Sequence, residues 1–345
     1  MTLETRFFTA DGQPNLDAGP PSSNSSLTLA YRTYGSLNNP AILIPTCFSG
    51  KIETTLAFLY GSDDSVLKDY FVIVVGLLGG SESSSPSNAP EPAKFPQTSY
   101  EDNIHLQYKL LKALGIEKLA AYIGFSMGGT QAYYFAILYP DFVQRIVVLA
   151  SSARTSWHNK SFLEGPIAAL ESSVDWHDGL YTEPAVRGTR AFARVYSTWA
   201  LSSAWFRKEQ WKRLDCETVE DYLVKVWDNA MGKWDARELM HLVNTWRGGD
   251  ISDHGPVKGD LPSALASIKA KVLLMPSRTD LYFPPEDSVE EVKHLRFGEL
   301  KVIESIWGHL AGGEWGLQED NNFIASEIGR FLSSYTPASC SAQST

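Results

Sequence analysis

This 345-residue chain contains a serine, an aspartate and a histidine whose types and order suit nucleophilic catalysis. Ser126 is the centre of Gly124-Phe-Ser-Met-Gly128, and Asp280 and His309 each follow an apolar run further along the chain. A neutral serine is a poor nucleophile, so a base must take its proton and later return it to the leaving group. An acid that hydrogen-bonds to the base fixes its tautomer and stabilises its charged form. The order of these residues therefore predicts Ser126 as nucleophile, Asp280 as acid and His309 as base.

The residues around Ser126 predict the structure that would hold it. Apolar residues lead up to Ile123, and a helical pattern runs from Gln131 to Tyr139. A strand, a sharp turn and a helix in this order force the nucleophile into a strained backbone conformation above the end of the strand. Gly124 and Gly128 are then required for steric reasons, because only glycine tolerates such a close approach of strand and helix.

Two backbone amides are predicted to bind the negative oxygen that forms when the serine attacks. Met127 opens the helix, so its N–H points toward developing negative charge. The second amide belongs to the loop Thr46-Cys-Phe-Ser-Gly50, directly after the short apolar run Ala41–Pro45. A loop in this position supplies the second donor of such a site. We assign that donor to the amide of Phe48, with Cys47 as the neighbouring candidate.

Other residues compete for the roles of acid and base. Glu286 and Asp287 follow Pro284-Pro285, and this placement favours the start of a helix. Six further histidines lack a position just beyond a strand, and they are His105, His158, His177, His241, His254 and His294. The alternative interpretations of Asp280 and His309 are a turn aspartate and a surface-loop histidine.

The apolar runs predict the strands that position these residues. Because the carboxyl ends of parallel strands meet at one edge of a sheet, residues that follow such strands come together there. The predicted strands are the run ending at Ile123, Leu27–Tyr34, Ala41–Pro45, Tyr70–Gly76, Arg145–Ala150, Ala270–Pro276 and Leu300–Ile306. Helices are predicted at Tyr100–Leu114, with Gly115 as the stop, and at Phe323–Leu332, besides a loop at 12–26 and a mobile tail from Ser333.

The pattern changes between about Ser152 and Leu261, where helical segments replace strand-like runs. We interpret 152–261 as a helical cap inserted into a core of 1–151 and 262–345, because each half of the sheet needs the other to bury its strands. A separate helical domain is the alternative. The block is rich in tryptophans that either line an apolar acyl pocket or pack in a core: Trp157, Trp176, Trp199, Trp205, Trp211, Trp227, Trp234 and Trp246.

Four residues are candidates for substrate binding. Cys47 and Phe125 adjoin the predicted oxyanion donor and nucleophile, Leu310 follows the base, and Trp199 belongs to the tryptophan-rich cap. Small-molecule sites are mostly apolar cavities with a few placed polar groups. These candidates therefore favour a mostly apolar acyl substrate.

Composition excludes several classes of protein. The chain is 43% hydrophobic and 20% charged, which is typical of a globular protein with a large core. A net charge of −10 disfavours nucleic acid or an anionic membrane surface as partner. Three cysteines without metal-ligand spacing predict neither a metal site nor a disulfide framework. We find no apolar signal region and no run long enough to span a bilayer, so a cytoplasmic protein is expected, with a homodimer left open.

The chain resembles the α/β-hydrolase superfamily, and within it the homoserine O-acetyltransferase branch with its hydrolase-like relatives. The similar stretches are Tyr70-Phe-Val-Ile-Val-Val-Gly-Leu-Leu-Gly-Gly80, Leu114 to Gly129, and the segments around Asp280 and His309. The resemblance implies an α/β-hydrolase fold, with a doubly wound, mostly parallel sheet of about eight strands and an inserted helical cap. In that family acetyl-CoA acetylates the serine, which passes the acetyl group to a hydroxyl.

The resemblance weakens next to the predicted base. The acetyltransferases have an aspartate there that helps hold the amino group of homoserine, whereas this chain has Leu310. An apolar side chain cannot pair with an ammonium group, so homoserine is disfavoured as acceptor. We expect hydrolysis of an ester or thioester of a mostly apolar small molecule through an acyl-serine, without a cofactor. The alternatives are an O-acyltransferase of the homoserine or secondary-metabolite kind, with acetyl-CoA or another acyl-CoA as co-substrate, and a non-catalytic ligand-binding receptor.

Overall fold

A computed structural model of the chain describes residues 4–9, 14–15, 27–80, 82–313 and 316–333. Most of the loop predicted at 12–26 lies outside these residues, and Pro14–Asn15, which does not, forms a short strand instead. The predicted tail also lies outside them, apart from Ser333, which ends the last helix.

The described residues form one mixed sheet of nine strands, in the order β2-β1-β3-β5-β4-β6-β7-β8-β9. The first three strands pair antiparallel, as does β3 with β5, and the other pairs are parallel. The sheet has one strand more than the eight expected because Pro14–Asn15 joins its edge. The strands are β1 Arg6–Thr9, β2 Pro14–Asn15, β3 Thr28–Tyr34, β4 Ala41–Pro45, β5 Phe71–Val75, β6 Leu119–Phe125, β7 Arg145–Leu149, β8 Lys271–Met275 and β9 Gly298–Leu300.

The central parallel strands are continuous apolar runs because both faces of the sheet are covered. Every residue of β4, β5 and β7 is buried. The predicted strands at Ala41–Pro45, Tyr70–Gly76 and Arg145–Ala150 are therefore confirmed to within one residue at each end. These strands form the rigid layer whose carboxyl edge carries the candidate site.

The last strand differs from the prediction of Leu300–Ile306. It spans only Gly298–Leu300, and the chain beyond it makes a single bridge between Ser277 and Ile303. The hydrogen-bond ladder between β8 and β9 is interrupted because Pro276, directly after β8, occupies the next donor position, and proline has no N–H. The pairing resumes one step later, where the Arg278 amide donates to the Ile303 carbonyl at 2.9 Å.

Helices flank the sheet and connect its strands. Ser99 caps the first helix with a capping box to Asp102, and that helix ends before Gly115, whose φ of +77° stops it as predicted. The closing helix is longer than the predicted Phe323–Leu332. The helices are α1 Tyr100–Ala113, α2 Met127–Leu138, α3 Trp157–Glu171, α4 Val186–Ala200, α5 Ser203–Arg207, α6 Val219–Tyr222, α7 Asn229–Met231, α8 Ala236–Arg247, α9 Leu261–Ser267, α10 Pro285–Glu291 and α11 Gln318–Ser333.

Helices α3 to α9 fill the chain between β7 and β8 and include a π-helical turn at Leu223–Asp228. This segment packs onto the loops at the carboxyl edge of the sheet. The Ser202 hydroxyl donates to the Ile306 carbonyl at 2.6 Å, and the Trp246 ring stacks on Phe283 at 5.2 Å. Buried residues of the segment and of the sheet belong to one hydrophobic cluster, while the predicted boundaries at 151/152 and 261/262 stay a prediction. Within the described residues, no helix is long and apolar enough to span a bilayer.

Candidate active site

Ser126 occupies a sharp turn between β6 and α2. Its backbone has φ +56° and ψ −128°, a strained conformation for a residue with a side chain. Its amide donates to the Leu149 carbonyl at 2.9 Å, which ties the turn to the neighbouring strand β7. The side chain is 2% exposed. The strand, turn and helix predicted around Ser126 are therefore present.

The glycines around this turn are constrained to different degrees. A Cβ on Gly124 would lie 2.0 Å from the Gly128 carbonyl oxygen, which no small shift can relieve. On Gly128 it would meet Pro45 at 3.2 Å, a tight but adjustable contact. On Gly129 it would lie 2.5 Å from the Ser151 Cβ. The steric requirement predicted for Gly124 is thus strong, that for Gly128 is weaker, and Gly129, which the sequence analysis did not single out, is more constrained than Gly128.

The structure brings Ser126, His309 and Asp280 into one hydrogen-bonded chain. Nε2 of His309 lies 2.9 Å from Oγ of Ser126, and Nδ1 of His309 lies 2.7 Å from Oδ2 of Asp280. All three residues are buried, and the side chains of His309 and Asp280 are 5% and 0% exposed. The imidazole is placed to take the serine proton while the carboxylate holds the other ring nitrogen.

Asp280 is oriented by the turn that follows β8. Its Oδ1 accepts the backbone N–H groups of Tyr282 at 2.8 Å and Phe283 at 3.0 Å, which leaves Oδ2 for His309. Asp287, the competing acid, lies in the first turn of α10 as predicted, and its Oδ2 has no partner among the described residues. The structure therefore favours Asp280 over Asp287 as the partner of the base.

His309 sits on a short 3-10 turn, Gly308–Gly312, beyond β9. Gly308 has φ +55°, and a Cβ there would lie 2.4 Å from the Ala200 carbonyl oxygen, so glycine is required before the histidine. The imidazole packs against the rings of Phe125 at 4.8 Å and Tyr282 at 4.9 Å. Sequence reasoning did not identify Tyr282 as a support of the base.

Five of the other histidines have partners elsewhere. His241 contacts the Thr98 hydroxyl, His254 contacts Glu101, and His294 contacts Glu290. The remaining two pairs are His105 with Tyr139 and His158 with the Leu281 carbonyl. Burial lowers the pKa of His241 to about 4, which keeps its ring neutral. These side chains are engaged away from Ser126.

The two amides predicted for the oxyanion reach the nucleophile by different routes, Met127 as its neighbour in sequence and Phe48 across the cavity. Met127 is the first residue of α2, and Phe48 lines the same cavity as Ser126. Neither amide donates a hydrogen bond to any part of the chain that the structure describes. Cys47, the alternative donor, lines the same cavity. The amides of Met127 and Phe48 are therefore available for a ligand at the helix N-terminus.

Ser126 and His309 open into a cavity of about 300 Å³. Its walls are mostly apolar and aromatic, and Lys51 is the one Asp, Glu, Lys or Arg among the described residues that line it. The helical segment supplies one side through Leu214, Tyr222, Val226, Trp227, Met231 and Trp234. These individual residues could not be identified from the sequence, although the tryptophan enrichment of the segment pointed to it.

Three of the four candidate substrate-binding residues line this cavity, namely Cys47, Phe125 and Leu310. Trp199 is not among the residues that line it, and its contact with substrate stays a prediction. Its ring packs on Phe162 at 5.0 Å and on His158 at 5.1 Å instead, because α4 turns that face toward α3.

The phenols around the cavity are neutral groups. Burial raises the pKa of Tyr196, Tyr222 and Tyr282 well above the ordinary value of a tyrosine. Two of these hydroxyls are engaged: that of Tyr282 donates to the Tyr196 carbonyl, and that of Tyr222 accepts from Trp227 Nε1 at 2.5 Å. The cavity therefore presents ring surfaces and few free polar atoms.

Residues 40–314 match the family described by the alpha/beta hydrolase fold. The chain is 33% identical over 293 residues to a probable esterase of Corynebacterium glutamicum, which covers 82% of this chain and 83% of the relative. It is 32% identical to the ethyl acetate hydrolase of Pseudomonas veronii, with the same two coverages. A homoserine O-acetyltransferase of Methanobrevibacter ruminantium is 27% identical, covering 94% of this chain and 74% of the relative.

A solved structure agrees with these relatives. The acetylester hydrolase from Corynebacterium glutamicum superposes with a TM-score of 0.86 at 29% identity, covering 96% of each chain. The chain therefore belongs to the α/β-hydrolase family and is an enzyme. Its relatives include both esterases and homoserine O-acetyltransferases, so its chemistry is serine-dependent acyl transfer, with ester hydrolysis as the case in which water is the acceptor.

Proposed function

We propose that the enzyme hydrolyses short-chain carboxylic esters whose groups around the scissile bond are mostly apolar. Ser126 is the nucleophile, His309 the base and Asp280 the acid that holds the base. The observation that carries the proposal is the Ser126–His309–Asp280 hydrogen-bonded chain at the floor of an apolar cavity.

The geometry supports a two-step reaction. His309 takes the proton of Ser126 as its oxygen bonds to the ester carbonyl carbon, and the amides of Met127 and Phe48 bind the resulting oxyanion. Collapse breaks the bond to the alcohol oxygen, which leaves with the proton from His309. Water then attacks the acyl-serine with the help of His309, and the carboxylic acid leaves as Ser126 regains its proton.

The cavity supports an ester in preference to homoserine. No Asp or Glu is found among the described residues that line it, and Leu310 stands beside the base. The ammonium group of homoserine would lose its water shell there without gaining a counter-charge. A cavity of about 300 Å³ lies at the small end of ligand sites, and the names ethyl acetate hydrolase and acetylester hydrolase belong to relatives that process acetyl esters.

A panel of esters tests the proposal. Ethyl acetate and the p-nitrophenyl esters of acetate, butyrate, octanoate and decanoate are compared by kcat/KM, with acetyl-CoA supplied in parallel with and without homoserine. We expect acetate and butyrate to exceed decanoate by at least about tenfold, because a longer chain outgrows the cavity. Efficient formation of O-acetylhomoserine would overturn the proposal in favour of the acyltransferase.

Labelling with a fluorophosphonate tests the nucleophile. Intact mass should show one adduct, which Ser126→Ala abolishes together with about a millionfold of the turnover. Ser49→Ala is the matched control, since Ser49 also lines the cavity and its loss should leave the adduct in place. An adduct that survives in Ser126→Ala would contradict the assignment. Ligand binding without any turnover of acyl substrates would instead support a receptor.

The remaining expectations are part of the same proposal. We propose that hydrolysis needs no cofactor, and that an acyl-CoA is required only if the acceptor is an alcohol. From the sequence we also propose a cytoplasmic location and a small-molecule partner in place of nucleic acid or membrane, with a homodimer left open. A role in secondary metabolism is what the family resemblance implies.

A further inference from the structure

A second, polar cavity of about 430 Å³ lies against the active-site cavity. The two cavities have Lys51 and Trp234 in common, and no other lining residue among those described belongs to both. These two side chains, Lys51 and Trp234, therefore form the partition between the active-site cavity and the polar cavity, which is called the polar chamber below.

The partition is a cation–π pair held by its surroundings. Nζ of Lys51 lies 4.3 Å from the centroid of the Trp234 ring. The Lys51 carbonyl accepts both the amide and the hydroxyl of Thr55, at 3.0 Å and 2.8 Å, which fixes the backbone from which the side chain departs. Trp234 packs beside Gly80, where a Cβ would lie 3.2 Å from the ring. The amine is thus presented at the junction of the two chambers.

The acids of the polar chamber already have partners. Asp235 pairs with Arg237 at 2.7 Å and accepts the Tyr181 hydroxyl at 2.5 Å. Glu238 accepts the Ser87 hydroxyl at 2.5 Å. Burial raises the pKa of the Glu238 carboxyl above its ordinary value, and this effect outweighs the lowering by the nearby Lys51.

The lysines of the polar chamber have no such partners. Lys51 and Lys233 both line the chamber and form no ion pair with the described part of the chain, although Lys51 lies near enough to Glu238 to lower its pKa. Among the described residues that line this chamber, Lys51, Lys233 and Arg237 outnumber Asp235 and Glu238, which leaves an excess of positive charge in a protein whose net charge is −10. An anion of the substrate is the group that best complements it.

We propose that Lys51 selects esters that carry a carboxylate at the end remote from the scissile bond. The apolar part of such an ester occupies the active-site cavity, and its carboxylate reaches across the Lys51–Trp234 partition into the polar chamber. The inference rests on the ester hydrolysis proposed above and names its substrate class. The carboxylate takes no part in bond breaking, and Lys51 acts on binding alone.

Matched pairs of esters test the inference. One pair is 4-acetoxybutanoate and 4-acetoxybutanamide, with the charge in the alcohol part, and the other is monoethyl succinate and ethyl succinamate, with the charge in the acyl part. The measured quantity is the kcat/KM ratio of carboxylate to amide within each pair. We expect a ratio above one for at least one pair, a fall of about tenfold in Lys51→Met, and a fall with added salt. The pair that responds tells which side of the ester faces the polar chamber.

Lys160→Met is the matched control. Lys160 also lies over a tryptophan, 5.1 Å from the Trp157 ring, but it lines neither chamber. The ratio should therefore keep its wild-type value in this variant. A wild-type enzyme that hydrolyses the amides as well as the carboxylates, or a ratio that Lys51→Met leaves unchanged, would overturn the inference while ester hydrolysis stands.

A binding measurement separates this inference from the proposed function. If none of the esters is hydrolysed, the proposed function fails, and calorimetry of 4-acetoxybutanoate with Ser126→Ala decides the inference. We expect Lys51→Met in that background to weaken binding about tenfold. Equal dissociation constants would overturn it, as would a dependence on Lys51 seen for acetyl-CoA and for no carboxylate ester, because a phosphate would then be the anion.

Discussion

The carboxyl edge of the sheet and the helical segment above it differ in how closely their residues are fixed. At the sheet edge, Ser126, Asp280 and His309 each follow a strand, and backbone hydrogen bonds or close glycine contacts fix the turn that holds them. The facing wall, residues 214–234, consists of short helices and a π-helical turn. Irregular helical turns of this kind occur often at functional sites.

Different forces hold the two regions. The sheet edge is held by ladders and by steric exclusion, as at Gly124, whereas the wall is anchored through side chains. Asp228, 7% exposed at the end of the π-helical turn, accepts two hydrogen bonds from Arg194 and one from Arg190. The comparison indicates that the edge determines which reaction occurs and the wall determines which molecule undergoes it. Changes at the edge should therefore affect rate or folding, and changes in the wall should affect KM.

The largest effect is expected for Asp280→Asn. Asparagine has nearly the same shape but cannot stabilise the imidazolium or hold the reactive tautomer, so kcat should fall about ten-thousandfold with KM little changed. The measurement is kcat for p-nitrophenyl acetate. Asp287→Asn, the competing acid seven residues later, should retain most of the wild-type kcat. An equal loss in both variants would contradict the assignment of Asp280.

Gly124→Ala should have the next largest effect, on folding instead of rate. Its new Cβ would lie 2.0 Å from the Gly128 carbonyl oxygen, and the backbone on both sides belongs to regular structure that cannot shift easily. We expect the free energy of unfolding in urea to fall by at least about 3 kcal/mol. Gly128→Ala, with a contact of 3.2 Å and a helical backbone, should change it by less than about 1 kcal/mol. Similar losses in both would mean that the turn is less rigid than its geometry indicates.

The same contrast explains how much could be predicted from sequence. The strands, the turn at Ser126 and the pairing of His309 with Asp280 follow from local rules, because apolar runs and glycine spacing report directly on a buried sheet. Strand β9 ended early because the missing N–H of Pro276 lies on the neighbouring strand, and pairing between strands is not visible in either one alone.

The wall could not be predicted in the same way. Trp199 and Trp227 are both tryptophans of the same helical segment. Of these two, only Trp227 lines the cavity. Which face of α4 or of the π-helical turn meets the sheet depends on how the helices pack on one another, and the periodicity of a single helix does not contain that information. Tryptophan enrichment identified the region, and packing selected the residues.

Glu291→Gln tests a buried carboxyl that joins α10 to α2 and to the chain just after β7. Glu291 of α10 accepts the Ala153 amide and contacts the Tyr133 hydroxyl, each at 2.7 Å. Burial raises its pKa from 4.5 to about 8, so between these values the folded protein holds a proton that the unfolded chain has released. Its stabilising contribution is complete below pH 4.5 and is lost as pH rises through about 8, with a slope of at most about 1.4 kcal/mol per pH unit.

Glutamine keeps a donor and an acceptor without a charge. The free energy of unfolding of Glu291→Gln, measured in urea from pH 5 to 9, should therefore lack this decline and exceed that of the wild type at the alkaline end. Glu290→Gln is the neighbouring control, because Glu290 is exposed and pairs with Lys293. The control should retain the wild-type decline. A decline of the same size in Glu291→Gln would assign the pH dependence to other groups.

The smallest effect separates two tryptophans of the helical segment. Trp227 is 6% exposed, lines the cavity and donates to the Tyr222 hydroxyl. Trp227→Leu therefore removes a ring that contacts the substrate and enlarges the substrate site. We expect KM for p-nitrophenyl butyrate to rise severalfold, to about tenfold at most, with kcat nearly unchanged. Trp199→Leu removes a ring that contacts Phe162 and His158 outside the cavity, so KM should not change. Both substitutions reduce packing and lower the free energy of unfolding, and for that reason stability cannot distinguish them, whereas KM can. A rise in KM for Trp199→Leu as large as that for Trp227→Leu would return Trp199 to the substrate-binding surface and show that the wall moves when the ester binds.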